Sequence, residues 1–340
     1  QNINTEVDYE NFNIIIDKIL NSKKKINLIG LNIILKNLNE KIIEIKRINF
    51  SNYGYKKNII IGEIFQKKFK LKLNDNLSNI NFKILETGIT SIININKDGN
   101  SYIGDMKGKV LNSNYKFNFR YYPGVFKIEN FLFRNKNLSL DNNGIIEFNP
   151  YFKIDLNSKI KNINEDIFRF FNLKDLLGFR NLIKRLNSSN TISFKSSKFG
   201  RKLVSDFVME TNLAYGTFIF EKNLLISDSR LSCKGKVNLL EEYPVLFFDC
   251  KLNSSDKKKL LKKFDINFKK RNEPLLLNLK GNMNLLNNKI NFDFIEIDND
   301  LASKEDLKYY KTNFEEIIFD ENFLDIFDLL KIRKFLTEIL

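Results

Sequence analysis

The feature that most limits what this chain can fold into is a period of two. In residues 68–73 (KFKLKL) apolar and charged side chains alternate strictly, and residues 115–121 (YKFNFRY) and 152–157 (FKIDLN) do the same with polar partners. Successive side chains of a strand point to opposite faces, so such segments predict half-buried antiparallel strands with one apolar and one wet face. Looser versions of the pattern fall at 26–35, 42–50, 79–84, 126–133, 217–226, 245–252 and 291–297. Most of the chain therefore reads as sheet.

Three stretches follow a helical period instead. Phe12, Ile15, Ile16, Ile19 and Leu20 form the first, behind acidic Asp8 and Glu10. A broken pair around Gly178 is expected within 164–186, led by Asn164, Glu165 and Asp166. An amphipathic helix built on Phe319, Phe323, Ile326, Phe327, Leu330, Phe335, Leu336 and Ile339 closes the chain. Before it, Ser303 with Asp306 three residues on has the spacing of a capping box, which predicts another helix start. The expected organisation is a β-rich segment over 1–162 with an N-terminal helix, a helical insertion at 163–188, a second β-rich segment over 189–300, and C-terminal amphipathic helices at 301–340.

Internal similarity adds a second constraint. KGKVLN at 107–112 returns as KGKVNLL at 234–240 and as KGNMNLL at 280–286, each followed by a strand-like segment. A related stretch begins at Gly144, and its interval from Pro150 to Asp155 matches that from Pro244 to Asp249. The expected unit is strand, Lys-Gly turn, strand, used about four times at uneven spacing. The fold class is therefore mainly β: an elongated antiparallel sheet of degenerate hairpin repeats curled into a groove, with helices at the N-terminus, middle and C-terminus.

The residue inventory excludes several chemistries. The chain of 340 residues has no histidine, which removes imidazole acid-base catalysis, Ser-His and Cys-His nucleophiles and Cys/His zinc sites. The acids Asp293, Glu296, Asp298 and Asp300 lack the glycine-centred spacing of a calcium loop and are interrupted by apolar residues, so they read as a solvated strand edge. Gly108-Lys109 and Gly235-Lys236 lack the rest of a phosphate loop. No catalytic residue, metal site or cofactor is expected, and the protein reads as a non-enzyme.

Charge points to the partner class. Against 41 acidic residues stand 56 Lys plus Arg, a net +15, with basic runs at 23–25, 257–259, 262–263 and 269–271. Such runs either solvate a Phe-rich protein or face anionic lipid headgroups or nucleic acid. No nucleic-acid reader motif accompanies them, so nucleic acid is not an expected partner.

Cys233 and Cys250 are equidistant from Glu241-Glu242, eight residues on either side. A hairpin turning there sets them directly opposite one another, close enough for a cross-strand disulfide, which would imply an oxidising compartment; two buried free thiols are the alternative. The chain begins at Gln1 with no signal-peptide pattern, which reads as a processed chain or an excised piece. The longest apolar runs, such as 245–248, are far too short to span a bilayer as a helix, so any such anchor is expected elsewhere.

The repeated unit, clearest in Asp228 through Leu239 and continuing to Pro244 and Asp249, resembles the C-terminal portion of AsmA-like proteins, relatives of TamB, over roughly residues 99–297. That resemblance implies a periplasmic β-rich groove, tethered to the inner membrane by an N-terminal helix that this sequence lacks. It also implies a role in moving phospholipid between inner and outer membranes. The residues expected to line the groove are Phe69, Leu71, Leu73, Phe117, Phe119, Phe126, Ile128, Phe152, Ile154 and Leu156. The rival expectation is a structural or interaction protein of the cell envelope whose sheet edges pair with another chain.

Overall fold

The structure is a computed structural model describing residues 3–8, 22–37, 40–55, 57–64, 66–74, 78–110, 113–136, 138–148, 152–163, 180–196, 204–269, 271–318 and 329–339. The fold is mainly β, built from open, curled sheets. It divides into two compact units, 1–123 with 129–135 and 124–128 with 136–340.

Unit 1 holds β1 (Ile3–Asp8), β2 (Asn27–Asn37), β3 (Glu40–Ser51), β4 (Ile59–Ile64), β5 (Lys67–Leu73), β6 (Asn79–Ile84), β7 (Thr90–Asp98), β8 (Ser101–Val110) and β9 (Ser113–Tyr122). It also holds the second half of β10 (Val125–Arg134). From β2 to β9 each strand pairs antiparallel with the next in sequence, while β1 lies parallel to β2. Among the described residues this unit contains strands and no helix.

Unit 2 carries β11 (Leu138–Glu147), β12 (Lys153–Ile163), β13 (Asn187–Lys195), β14 (Asp206–Ala214), β15 (Thr217–Ile226), β16 (Ser229–Asn238), β17 (Val245–Ser254), β18 (Leu275–Asn284), β19 (Lys289–Ile297) and β20 (Asp300–Leu301). Neighbours in sequence again pair antiparallel, except for the parallel pair β12–β13. Two-residue connections close several hairpins. Tyr215 and Gly216 join β14 to β15 at φ 49° and 79°, as do Asp298 and Asn299 between β19 and β20 at 54° and 72°; this left-handed pair matches the twist of the flanking strands.

Four helical segments are described: the single turn α1 (Arg180–Ile183), α2 (Lys257–Lys262), α3 (Lys304–Ile318) and α4 (Leu329–Ile339). The expected helix at 12–20 and most of the expected pair at 164–186 lie outside the described residues. Sequence reading missed α2 because its lysines looked like a plain basic run. Asp256 caps it by accepting the Lys259 amide at 2.6 Å, and Leu260 and Leu261 bury themselves beneath it.

The capping box holds as read. Ser303 Oγ accepts from the Asp306 amide at 3.1 Å, and Asp306 Oδ2 accepts from the Ser303 amide at 3.0 Å and its hydroxyl at 2.7 Å. Ser303→Ala is therefore expected to lower stability by about 1 kcal/mol, measured by urea titration. The Ser303 hydroxyl, with the Ser303 amide, holds the Asp306 carboxyl below its usual range. The cap thus stands at neutral pH and loosens as acid protonates Asp306.

The helices cover the two ends of unit 2's apolar face. At one end Val237, Leu239, Met283 and Ile290 pack with Ile183 of α1 and Ile318 of α3. Aromatic contacts continue outward from Phe292 to Phe314 of α3 (6.0 Å) and on to Phe335 of α4 (5.2 Å). At the other end Leu260 of α2 packs on Ile226 and Leu275.

Candidate lipid-facing surface

Directly opposed residues of paired strands share a face, so the registers assign every side chain. In unit 1 one face carries the row Leu73, Ile80, Ile93, Met106, Phe117 across β5 to β9. Beside it runs Phe50, Ile60, Leu71, Phe82, Ser91, Gly108, Tyr115. Phe69 sits against Gly62 and Ile84, and Phe119 against Gly104, on the same face. The opposite face carries Lys68, Lys70, Lys72, Lys83 and Lys116, all exposed.

Five of the ten residues expected to line a groove, Phe69, Leu71, Leu73, Phe117 and Phe119, are thus placed on one continuous apolar face. Phe69, Leu73 and Phe119 are buried; Leu71 and Phe117, like Ile80, Ile93 and Met106, stay half-buried. Within the unit each of these strands packs on its sheet neighbours, and no second layer is described over the face.

The other five belong to unit 2 and are also half-buried. Ile154 and Leu156 of β12 face the same way as the row Phe220, Gly235, Phe248, Gly281, Phe292. Phe152 precedes β12, its ring 5.9 Å from Phe148. Phe126 and Ile128 lie on the first half of β10.

The Lys-Gly repeats are not turns. Gly108, Gly144, Gly235 and Gly281 lie inside β8, β11, β16 and β18. Each glycine leaves room for a large side chain of a neighbouring strand: a Cβ on Gly235 would meet the Phe220 ring at 2.4 Å, and one on Gly281 would meet Phe248 at 2.9 Å. In β8 the Tyr115 ring covers Gly108, and its hydroxyl hydrogen-bonds buried Ser91 across it.

The preceding lysines point the other way. On the wet face Glu221, Lys234, Asp249 and Lys280 stand in one row, with ion pairs from Lys234 to Glu221 (3.3 Å) and from Lys280 to Asp249 (3.0 Å). The motif is therefore a strand interior that turns a gap inward and a charge outward, while the opposing Phe248-Asp249 supplies the ring and the counter-charge. Both pairs are exposed and worth at most about 1 kcal/mol each.

Cys233 and Cys250 are direct partners across β16 and β17 and form a disulfide, Cα atoms 4.1 Å apart. The register is the expected one, although the strands end at Asn238 and Val245 and leave a wider loop than a two-residue turn.

A cleft of about 470 Å³ in unit 1 lies at the ends of β7 to β10, with Ile92 and Leu132 among its walls and Lys107, Lys109, Lys116 and Arg134 supplying charge. No carboxylate lines it among the described residues. Among the described residues no cluster of potential metal ligands occurs, and no helix is long and apolar enough to cross a membrane.

No protein-family model matches the chain, and neither does any curated protein or solved structure.

Proposed function

We propose that the apolar faces receive the acyl chains of phospholipid, and that the protein is a non-enzymatic lipid-binding or lipid-conducting module of the periplasm acting between inner and outer membranes. The observation that carries this reading is the row from Leu73 to Phe117, with four of its five apolar side chains left half-buried on a face without a described second layer in its unit. A solved core would bury them; a face that trades protein contact for hydrocarbon contact would not. An acyl chain of ~16 carbons loses about 12 kcal/mol of transfer free energy on entering water at ~0.8 kcal/mol per methylene, so a continuous dry lining is what such a path requires.

Two further features support the reading. The Cys233–Cys250 disulfide suits an oxidising compartment. The lysines of the opposite face keep the sheet wet on its other side and suit proximity to anionic membrane surfaces.

Purified full chain should carry phospholipid detectable by native mass spectrometry and should bind a fluorescent acyl-chain probe. Met106→Asp, which sets a charge in the middle of the row, is expected to weaken probe binding at least about tenfold, whereas Asn118→Asp on the wet face should leave it unchanged. Lipid-free protein that ignores the probe, or equal binding by both variants and the parent, would overturn the reading.

A further inference from the structure

We infer that Lys222 anchors the anionic head of a phospholipid whose chains lie on the apolar face of unit 2; this rests on the reading above and narrows it to lipids of net negative charge. The registers place Lys222 in the inward row Asn142, Ser158, Ile192, Met209, Lys222, Cys233, Cys250, Leu279, Ile295. Along the inward positions of β11 to β19 it is the single charged side chain among the described residues.

The lysine is also placed where neither helical cap reaches. The cluster beneath α1, α3 and α4 and the cluster beneath α2 occupy the rows on either side, and Met209 and Cys233, the direct strand partners of Lys222, belong to neither. Its direct partners are Met209 and the disulfide-bonded Cys233, so no titratable group faces it from β14 or β16. Its ammonium has no carboxylate partner among the described residues; its one described contact is with the Phe220 ring, 6.0 Å from the centroid.

Burial pulls the Lys222 pKa down, which is the signature of a cation held without a counter-ion. An unpaired charge on an apolar wall is expensive, and an arriving phosphate offsets that penalty by supplying the missing partner. Polar groups for the rest of a head group lie further along the same wall. In the adjoining row Asn190 donates to Thr211 Oγ1 at 3.3 Å. A zwitterionic head would bring an ammonium toward the same lysine, and the two cations would repel.

The test compares phosphatidylglycerol with phosphatidylcholine of matched chains, each offered to the full chain in mixed micelles and read by native mass spectrometry. The parent should prefer phosphatidylglycerol about tenfold, as one charge-assisted contact predicts. Lys222→Met should abolish the preference while keeping the phosphatidylcholine affinity, and Lys222→Arg should restore it. A Lys222→Met protein that retains the preference overturns the inference, as does its loss instead in a Lys107→Ser/Lys116→Ser double variant of the basic cleft. Equal binding of both lipids by the parent overturns this inference alone. Binding of neither overturns the lipid reading itself.

Discussion

Gly104→Ala is expected to destabilise unit 1 by about 3 kcal/mol, the upper range for overpacking. Gly104 lies within β8, and an added Cβ would stand 1.9 Å from the Asn94 carbonyl oxygen and 2.7 Å from the Phe119 ring. A ring can rotate away, but a strand carbonyl is fixed by the sheet, so the methyl forces β7 and β8 apart. Gly99→Ala is the control. It meets open space but keeps a left-handed backbone at φ 59°, a strain of about 1 kcal/mol. Urea titration followed by tyrosine fluorescence, which the absence of tryptophan leaves clean, reads both variants. Equal small losses in the two would mean that the aromatic-over-glycine packing is loose.

Replacing both cysteines, Cys233→Ala with Cys250→Ala, should lower stability by about 3 kcal/mol. Closure of a loop spanning 17 positions in the unfolded chain sets that scale. Reductant should lower the melting temperature of the parent and leave the double variant unmoved. A parent whose melting ignores reductant would mean that the link contributes nothing, and the compartment argument would fall with it.

The strands were legible because alternation is a local signal: the strictly alternating segments at 68–73 and 115–121 fall on strands, as does 152–157 from Lys153 onward, and the face assignment of Phe69, Leu71 and Leu73 follows from parity alone. The cysteine register was legible for the same reason. The role of the Lys-Gly repeats was not, because glycine within a strand and glycine at a turn look alike until a neighbour's ring is seen above it. The inward faces of β16 and β18 were equally hidden. Ser229, Cys233, Gly235 and Gly281 dilute their apolar signal, although Gly235 and Gly281 join the row from Phe220 to Phe292 and Leu231 and Leu277 stand in a row of their own through Leu252. Lys222 was invisible as a site, since in a chain with 56 basic residues one more lysine attracts no notice until its strand parity turns it inward.

Nearest-neighbour pairing in sequence has an evolutionary corollary. A module made of antiparallel hairpins can gain or lose one pair of strands at a time, because deleting both members of a hairpin leaves the flanking strands antiparallel and their inward positions still aligned. The span of the apolar face is then a quantity that tandem duplication can adjust in steps of one hairpin. The uneven distances between the surviving copies at Gly108, Gly144, Gly235 and Gly281 are the trace such stepwise growth would leave.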